Sequence, residues 1–111
     1  MRVIIMNTDH HNIFLKQAQV KVYNSSNQEI AQSTFSGACV VLATANSMFY
    51  SIYTTDSKLN IFSSRSTQLI KAGLILDGVC MLASNGNCGR LCTLHVKGTV
   101  SLFRVKDIQS L

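Results

Sequence analysis

The sequence predicts an all-β fold built from blade-like repeats of four antiparallel strands, and three observations carry that prediction. A five-residue pattern occurs three times, as Gln19-Val20-Lys21-Val22-Tyr23, Lys58-Leu59-Asn60-Ile61-Phe62 and Thr99-Val100-Ser101-Leu102-Phe103. Each copy reads polar, apolar, polar, apolar, aromatic, the period-two alternation of a strand. Val20 and Leu59 lie 39 residues apart and Leu59 and Val100 lie 41 apart, close to the roughly 40 to 45 residues of a four-stranded propeller blade. Composition agrees: 47% of residues are hydrophobic, only 14% are charged, and Pro and Trp are absent. Strands covered on both faces need little charge. The 111 residues supply about two and a half to three blades at that period, whereas propellers close with roughly 4 to 8. The expectation is an incomplete, WD-type β-propeller fragment over residues 1–111, with repeats at about 1–37, 38–77 and 78–111.

Each element follows from a short β-branched or aromatic run bounded by Asn, Ser, Asp or Gly. In the first repeat the strands are expected at Arg2 to Met6, Asn12 to Lys16, Ala18 to Asn24 and Glu29 to Phe35, with a turn at Ser25-Ser26-Asn27 and a boundary at Ser36-Gly37. The second repeat reads as Cys39 to Ala43, Met48 to Thr54, Lys58 to Ser63 and Gln68 to Leu76, turning at Asp56-Ser57. The third begins after Gly78 with Val79 to Ala83, crosses a loop at Ser84-Asn85-Gly86-Asn87, and continues as Arg90 to His95, a turn at Lys97-Gly98, and Thr99 to Lys106. The repeat extends past its seed, because Ile13 and Phe14 match Ile52 and Tyr53, Ile30 matches Leu69, and Gln68 matches Gln109. Tyr23, Phe62 and Phe103 hold one repeat position, which is read as packing between blades rather than as a ligand ring.

Functional chemistry is sparse. His10 and His11 sit in an Asp-His-His-Asn turn and His95 at a strand end, and a metal site needs three or four convergent ligands. Asp9 beside His10 points to the opposite face of any strand holding both. Cys39 and Cys80 lie in apolar runs, and Cys88 and Cys92 have neither a second pair nor a His at zinc-finger spacing, so buried thiols are expected rather than a disulfide framework or a zinc site. Asn24-Ser25-Ser26 fits a glycosylation acceptor in form, but no secretory signal is read at the N-terminus, so it is expected to stay unmodified. No nucleophile elbow, phosphate loop, metalloprotease helix or dinucleotide fingerprint occurs. The expectation is a non-enzymatic protein with no catalytic residues, no metal and no cofactor, intracellular, with no membrane span. Ten Lys and Arg against five Asp and Glu give a net charge of +5. These charges are scattered and no aromatics interleave with them, which disfavours a nucleic-acid stacking platform.

From Asp56 to Leu111 the chain resembles the Hira domain of the HIR/HIRA family of histone-regulatory proteins. The resemblance rests on Ser57-Lys58-Leu59-Asn60-Ile61-Phe62-Ser63, Ser66-Thr67-Gln68-Leu69-Ile70, Gly73-Leu74-Ile75-Leu76, Leu91-Cys92-Thr93-Leu94 and Lys97-Gly98-Thr99-Val100-Ser101-Leu102-Phe103-Arg104-Val105. Phe62 and Phe103 stand where that family usually has Trp, Ser63 and Arg104 where it has Asp or Ser, and its prolines before the Leu-Ile-Leu stretch are missing; the divergence is closer to a fungal member than to an animal one. The resemblance implies a scaffold segment in a nuclear, WD-repeat histone chaperone and corepressor complex that assembles nucleosomes independently of replication and represses histone genes. Its implied partners are other subunits of that complex or further copies of itself. Histones H3 and H4 are reached through the complex, because a segment of charge +5 does not attract basic histones. The alternative is a blade fragment of an unrelated WD-repeat scaffold.

Overall fold

A computed structural model describes residues 2–84 and 89–108, the last two by backbone only. Cys88, the Asn85-Gly86-Asn87 part of the expected loop, and Gln109, matched above to Gln68, lie outside the described residues. Among the described residues, ten strands form three antiparallel sheets. The first holds β1 (Arg2–Thr8), β2 (Gln17–Tyr23) and β3 (Glu29–Ser36) in that order. The second holds β4 (Val40–Ala45), β5 (Phe49–Thr54), β6 (Lys58–Ser63) and β7 (Leu69–Ile75), again in chain order. The third orders β8 (Val79–Ser84), β9 (Arg90–His95) and β10 (Val100–Arg104) from one edge to the other, and a single helical turn, α1 (Val105–Ile108), follows. The chain is all-β, and its sheets are up-and-down meanders joined by short turns.

The chain divides into two compact units, Met1–Val40 and Val41–Leu111. In the first unit one sheet face is apolar: Ala18, Val20 and Val22 of β2 are buried, opposite Asn7, Ile5 and Val3 of β1. Asn7 ties the end of β1 to the start of β4, its Nδ2 donating to the Val40 carbonyl at 2.8 Å and its Oδ1 accepting from the Val40 N–H at 2.9 Å. The β2–β3 hairpin is closed by Asn24, whose Oδ1 accepts from the N–H groups of Ser26 and Gln28, each at 3.0 Å. That is the Asx-turn chemistry that makes Asn a turn residue, and Asn27 beyond it takes a left-handed φ of 61°. The Asn24 amide also reaches Gln28 Oε1 at 3.2 Å.

The second unit packs the second and third sheets on a shared core. Phe49, Tyr53, Leu59 and Ile61 from one sheet meet Val79 and Leu91 from the other, with Val105 of α1 at the end. Thr44 and Ser84 join the two sheets through their hydroxyls at 2.9 Å. Tyr53 spans the β7–β8 connection: its Oη donates to the Leu76 carbonyl at 2.6 Å and accepts from the Val79 N–H at 3.4 Å. On the opposite face of the second sheet Tyr50 and Phe62, cross-strand partners, stack with ring centroids 4.9 Å apart and planes 7° from parallel. Both are buried, at 2% and 6% exposed.

Two sequence expectations are corrected. The strand expected at Asn12 to Lys16 is instead a 3-10 turn over Ile13–Leu15. Asn12 nucleates it, its side chain accepting from Phe14 N–H at 3.0 Å while Leu15 N–H bonds the Asn12 carbonyl at 2.9 Å. An Asn competes for the backbone at a helix start and so overrides the β-propensity of the apolar triplet that follows. The first sheet therefore has three strands, and the match of Ile13 and Phe14 to the buried Ile52 and Tyr53 does not hold, since Ile13 and Phe14 are 57% and 90% exposed. The last expected strand, Thr99 to Lys106, stops at Arg104, where Val105 turns into α1 with its N–H on the Gly89 carbonyl at 2.8 Å.

Candidate interaction surface

The strands that carry the repeated pattern are β2, β6 and β10, so Val20, Leu59 and Val100 correspond, as do Val22, Ile61 and Leu102. In β2 and β6 these four residues are at most 2% exposed. Leu59 and Ile61 are covered because the third sheet packs on them. Val100 and Leu102, in the third sheet, are 65% and 64% exposed. Their face is continuous across the sheet in cross-strand rows: Val100, Leu94 and Met81, then Leu102, Cys92 and Ala83, then Arg104 and Arg90. Met81 is exposed as well. Covering side chains of this size stabilises by about 1.5 to 3 kcal/mol each when they start fully exposed, so an added layer would gain several kcal/mol here.

The outward face of the first sheet differs. Arg2, Ile4 and Met6 of β1 stand beside Tyr23, Lys21 and Gln19 of β2 and then Glu29, Gln32 and Thr34 of β3. Arg2 lies 5.0 Å over the Tyr23 ring and Lys21 pairs with Glu29 at 3.8 Å. Charged and polar groups pair across that face, with Ile4 and Met6 exposed between them at 36% and 46%. The face of the third sheet carries two apolar rows beside its row of arginines.

Next to its arginine row lies a cleft of about 340 Å³ in the second unit. Met48, Phe49, Ile70 and Val105 give it an apolar lining, and Arg90, Arg104 and Lys106 bring three cations with no acidic residue among the lining side chains. Ile70, Arg104 and Val105 carry part of the sequence resemblance, but nothing in the sequence groups them with Met48, Phe49, Arg90 and Lys106 as one cleft, because the fold brings together positions up to 58 residues apart.

The expected aromatic packing position is not uniform. Phe62 is buried, Phe103 packs partly on the core of the second unit, and Tyr23 is half-buried beneath Arg2. His10 and His11 stack on one another at 4.3 Å, and His10 Nδ1 accepts from Asn12 N–H at 3.0 Å. His95 is half-buried, its ring nitrogens 3.0 Å from the Thr93 hydroxyl and 3.0 Å from the Asp77 carbonyl. Thr93 is fully buried, so this histidine fastens the end of β9 to the β7–β8 connection. Cys39 is buried and Cys92 half-buried, whereas Cys80, expected to be a buried thiol, is exposed: the β8 bulge between Val79 and Met81 turns it outward. Among the described residues no three His, Cys, Asp or Glu side chains converge as a metal site, and no helix is long and apolar enough to cross a membrane.

No family model matches the chain, and no curated protein matches it. Among solved structures, the crystal structure of HIRA(644-1017) superposes on 95% of the chain with a TM-score of 0.73 at 16% sequence identity. The chain has a HIRA-like WD fold. It spans 31% of the length of HIRA(644-1017), and at this identity the likeness is one of fold.

Proposed function

We propose that the chain is a non-enzymatic scaffold segment of a HIR-type nuclear histone chaperone and corepressor complex, and that the apolar face of its third sheet receives a further β-layer from another subunit of that complex. The observation that carries the reading is the repeat comparison: positions buried at Leu59 and Ile61 are open at Val100 and Leu102. A WD-type scaffold acts through such surfaces, since each blade of a propeller is covered by the next. On this reading residues 1–37, 38–77 and 78–111 are successive blade-like repeats of one propeller fragment, residues 56–111 belong to the Hira domain of a fungal HIR-type protein, and no residue serves catalysis, a metal or a cofactor. The +5 charge disfavours direct contact with basic histones, so the partners are other subunits of the complex; a second copy carries the same charge and would have to dock through the apolar face.

Affinity purification of the tagged chain from nuclear extract, beside a Leu102→Asp variant, tests the reading. The expected result is recovery of histone chaperone subunits together with H3 and H4 by the unaltered chain and their loss with Leu102→Asp. Recovery of subunits from an unrelated WD-repeat assembly, or retention of the chaperone subunits by the variant, would overturn it.

A further inference from the structure

In the first unit the 3-10 turn between β1 and β2 carries three consecutive exposed apolar side chains, a run found nowhere else among the described residues. Ile13, Phe14 and Leu15 are 57%, 90% and 56% exposed. Successive residues of a 3-10 turn stand about 120° apart around its axis, so these side chains radiate and do not share one face. Their backbone is ordered. Asn12 Oδ1 accepts from Phe14 N–H at 3.0 Å, the Asn12 carbonyl from Leu15 N–H at 2.9 Å and the Ile13 carbonyl from Lys16 N–H at 3.2 Å. The Lys16 carbonyl in turn accepts from Gly37 N–H at 2.8 Å, which ties the turn to the residue that follows β3.

We propose that this turn is an interfacial anchor that inserts Ile13, Phe14 and Leu15 into the boundary between headgroups and acyl chains of a phospholipid bilayer. Three observations select a lipid surface. A flat protein partner would meet one of three radiating side chains and leave the others in water, whereas a fluid acyl layer surrounds all three. An apolar medium requires backbone donors to be bonded internally, and the N–H groups of Phe14, Leu15 and Lys16 already are. The residues bordering the tip are His10, His11 and Lys16, whose apolar bodies and polar ends suit the headgroup layer. Asp9, the one acidic residue before Glu29, is paired with Lys16 at 3.4 Å, so no uncompensated carboxylate faces the lipid phosphates. The inference concerns the first unit alone and does not depend on which complex the chain belongs to.

The chain has no Trp, so Phe14→Trp sets a single indole at the tip, and Ser26→Trp, in the exposed β2–β3 hairpin at the opposite end of β2, serves as the control. With vesicles of phosphatidylcholine and phosphatidylserine, the emission of Phe14→Trp should shift to the blue and be quenched by brominated acyl chains, and that of Ser26→Trp should do neither. In flotation with the same vesicles Phe14→Ala should bind about tenfold or more weakly than the unaltered chain. Phe14→Asp should not float, at an unchanged melting temperature, because position 14 is almost wholly exposed. Undiminished flotation of folded Phe14→Asp, or flotation abolished by high salt, would overturn the proposal and assign the binding to the +5 charge. Phe14→Trp emission that vesicles leave unchanged would overturn it as well, and would make the tip an anchor for a protein pocket.

Discussion

Two adjacent rings show how much single residues contribute. Phe62 and Tyr50 are buried cross-strand partners, so Phe62→Ala removes both the transfer of a large side chain and a stacked pair. A loss of about 3 to 5 kcal/mol is expected, read as a shift in the urea midpoint at unchanged slope. A loss below about 1 kcal/mol would mean the ring is not packed as described. Burial also pushes the Tyr50 hydroxyl above its usual value of 10.0, because the phenolate is poorly solvated there. The folded state then holds its proton more tightly than the unfolded state, so the contribution is complete below about pH 10 and drains away as pH rises through the raised folded value. Tyr50→Phe should flatten that alkaline decline in a melting series from pH 8 to 11; an unchanged decline would assign it to other groups. At this scale the sequence was only partly legible. The repeat marked Phe62 as a packing residue, but its partner Tyr50 appears only once the β5–β6 register is known.

The turns decide the elements. Asn24, Asn46 and Asn12 each fold their side-chain oxygen onto nearby backbone N–H groups. Two of these effects ran with the strand pattern, while Asn12 ran against it, which is why an apolar triplet with strand-like composition became a 3-10 turn. The β8 entry rests on Gly78, at φ +65°, where an added Cβ would lie 3.0 Å from Val96 Cγ2. Val96 is 70% exposed and able to yield, so the backbone term dominates, and Gly78→Ala should cost roughly 1 to 2 kcal/mol. Thermal melting checks this, and a change within about 0.5 kcal/mol would show that the site tolerates a side chain. Nearly every strand was readable from alternation and turn residues. The cleft was not: the Lys97-Gly98 turn marks the β9–β10 hairpin that sets Arg90 across from Arg104, but Met48, Phe49 and Ile70 reach the same site only through packing of the second sheet on the third, which spacing does not encode.

For the molecule as a whole, the governing feature is the face of the third sheet, apolar and exposed at Met81, Val100 and Leu102, while the repeat counterparts Leu59 and Ile61 of the second sheet are buried. The sequence disclosed the equivalence of Val100 and Leu102 to buried positions, whereas their exposure follows from which sheet covers which. An uncovered apolar sheet face is an interaction site or an aggregation hazard, and the proposed scaffold role requires the former. The most direct measurement is photo-crosslinking in cells with a benzophenone amino acid at position 102, with the same probe at the exposed, polar Gln32 position of the first sheet as the control. The account predicts discrete adducts from position 102 to a β-rich segment of a chaperone-complex subunit and none of these from position 32. Equal labelling from both positions, or adducts from position 102 spread over unrelated proteins, would contradict it.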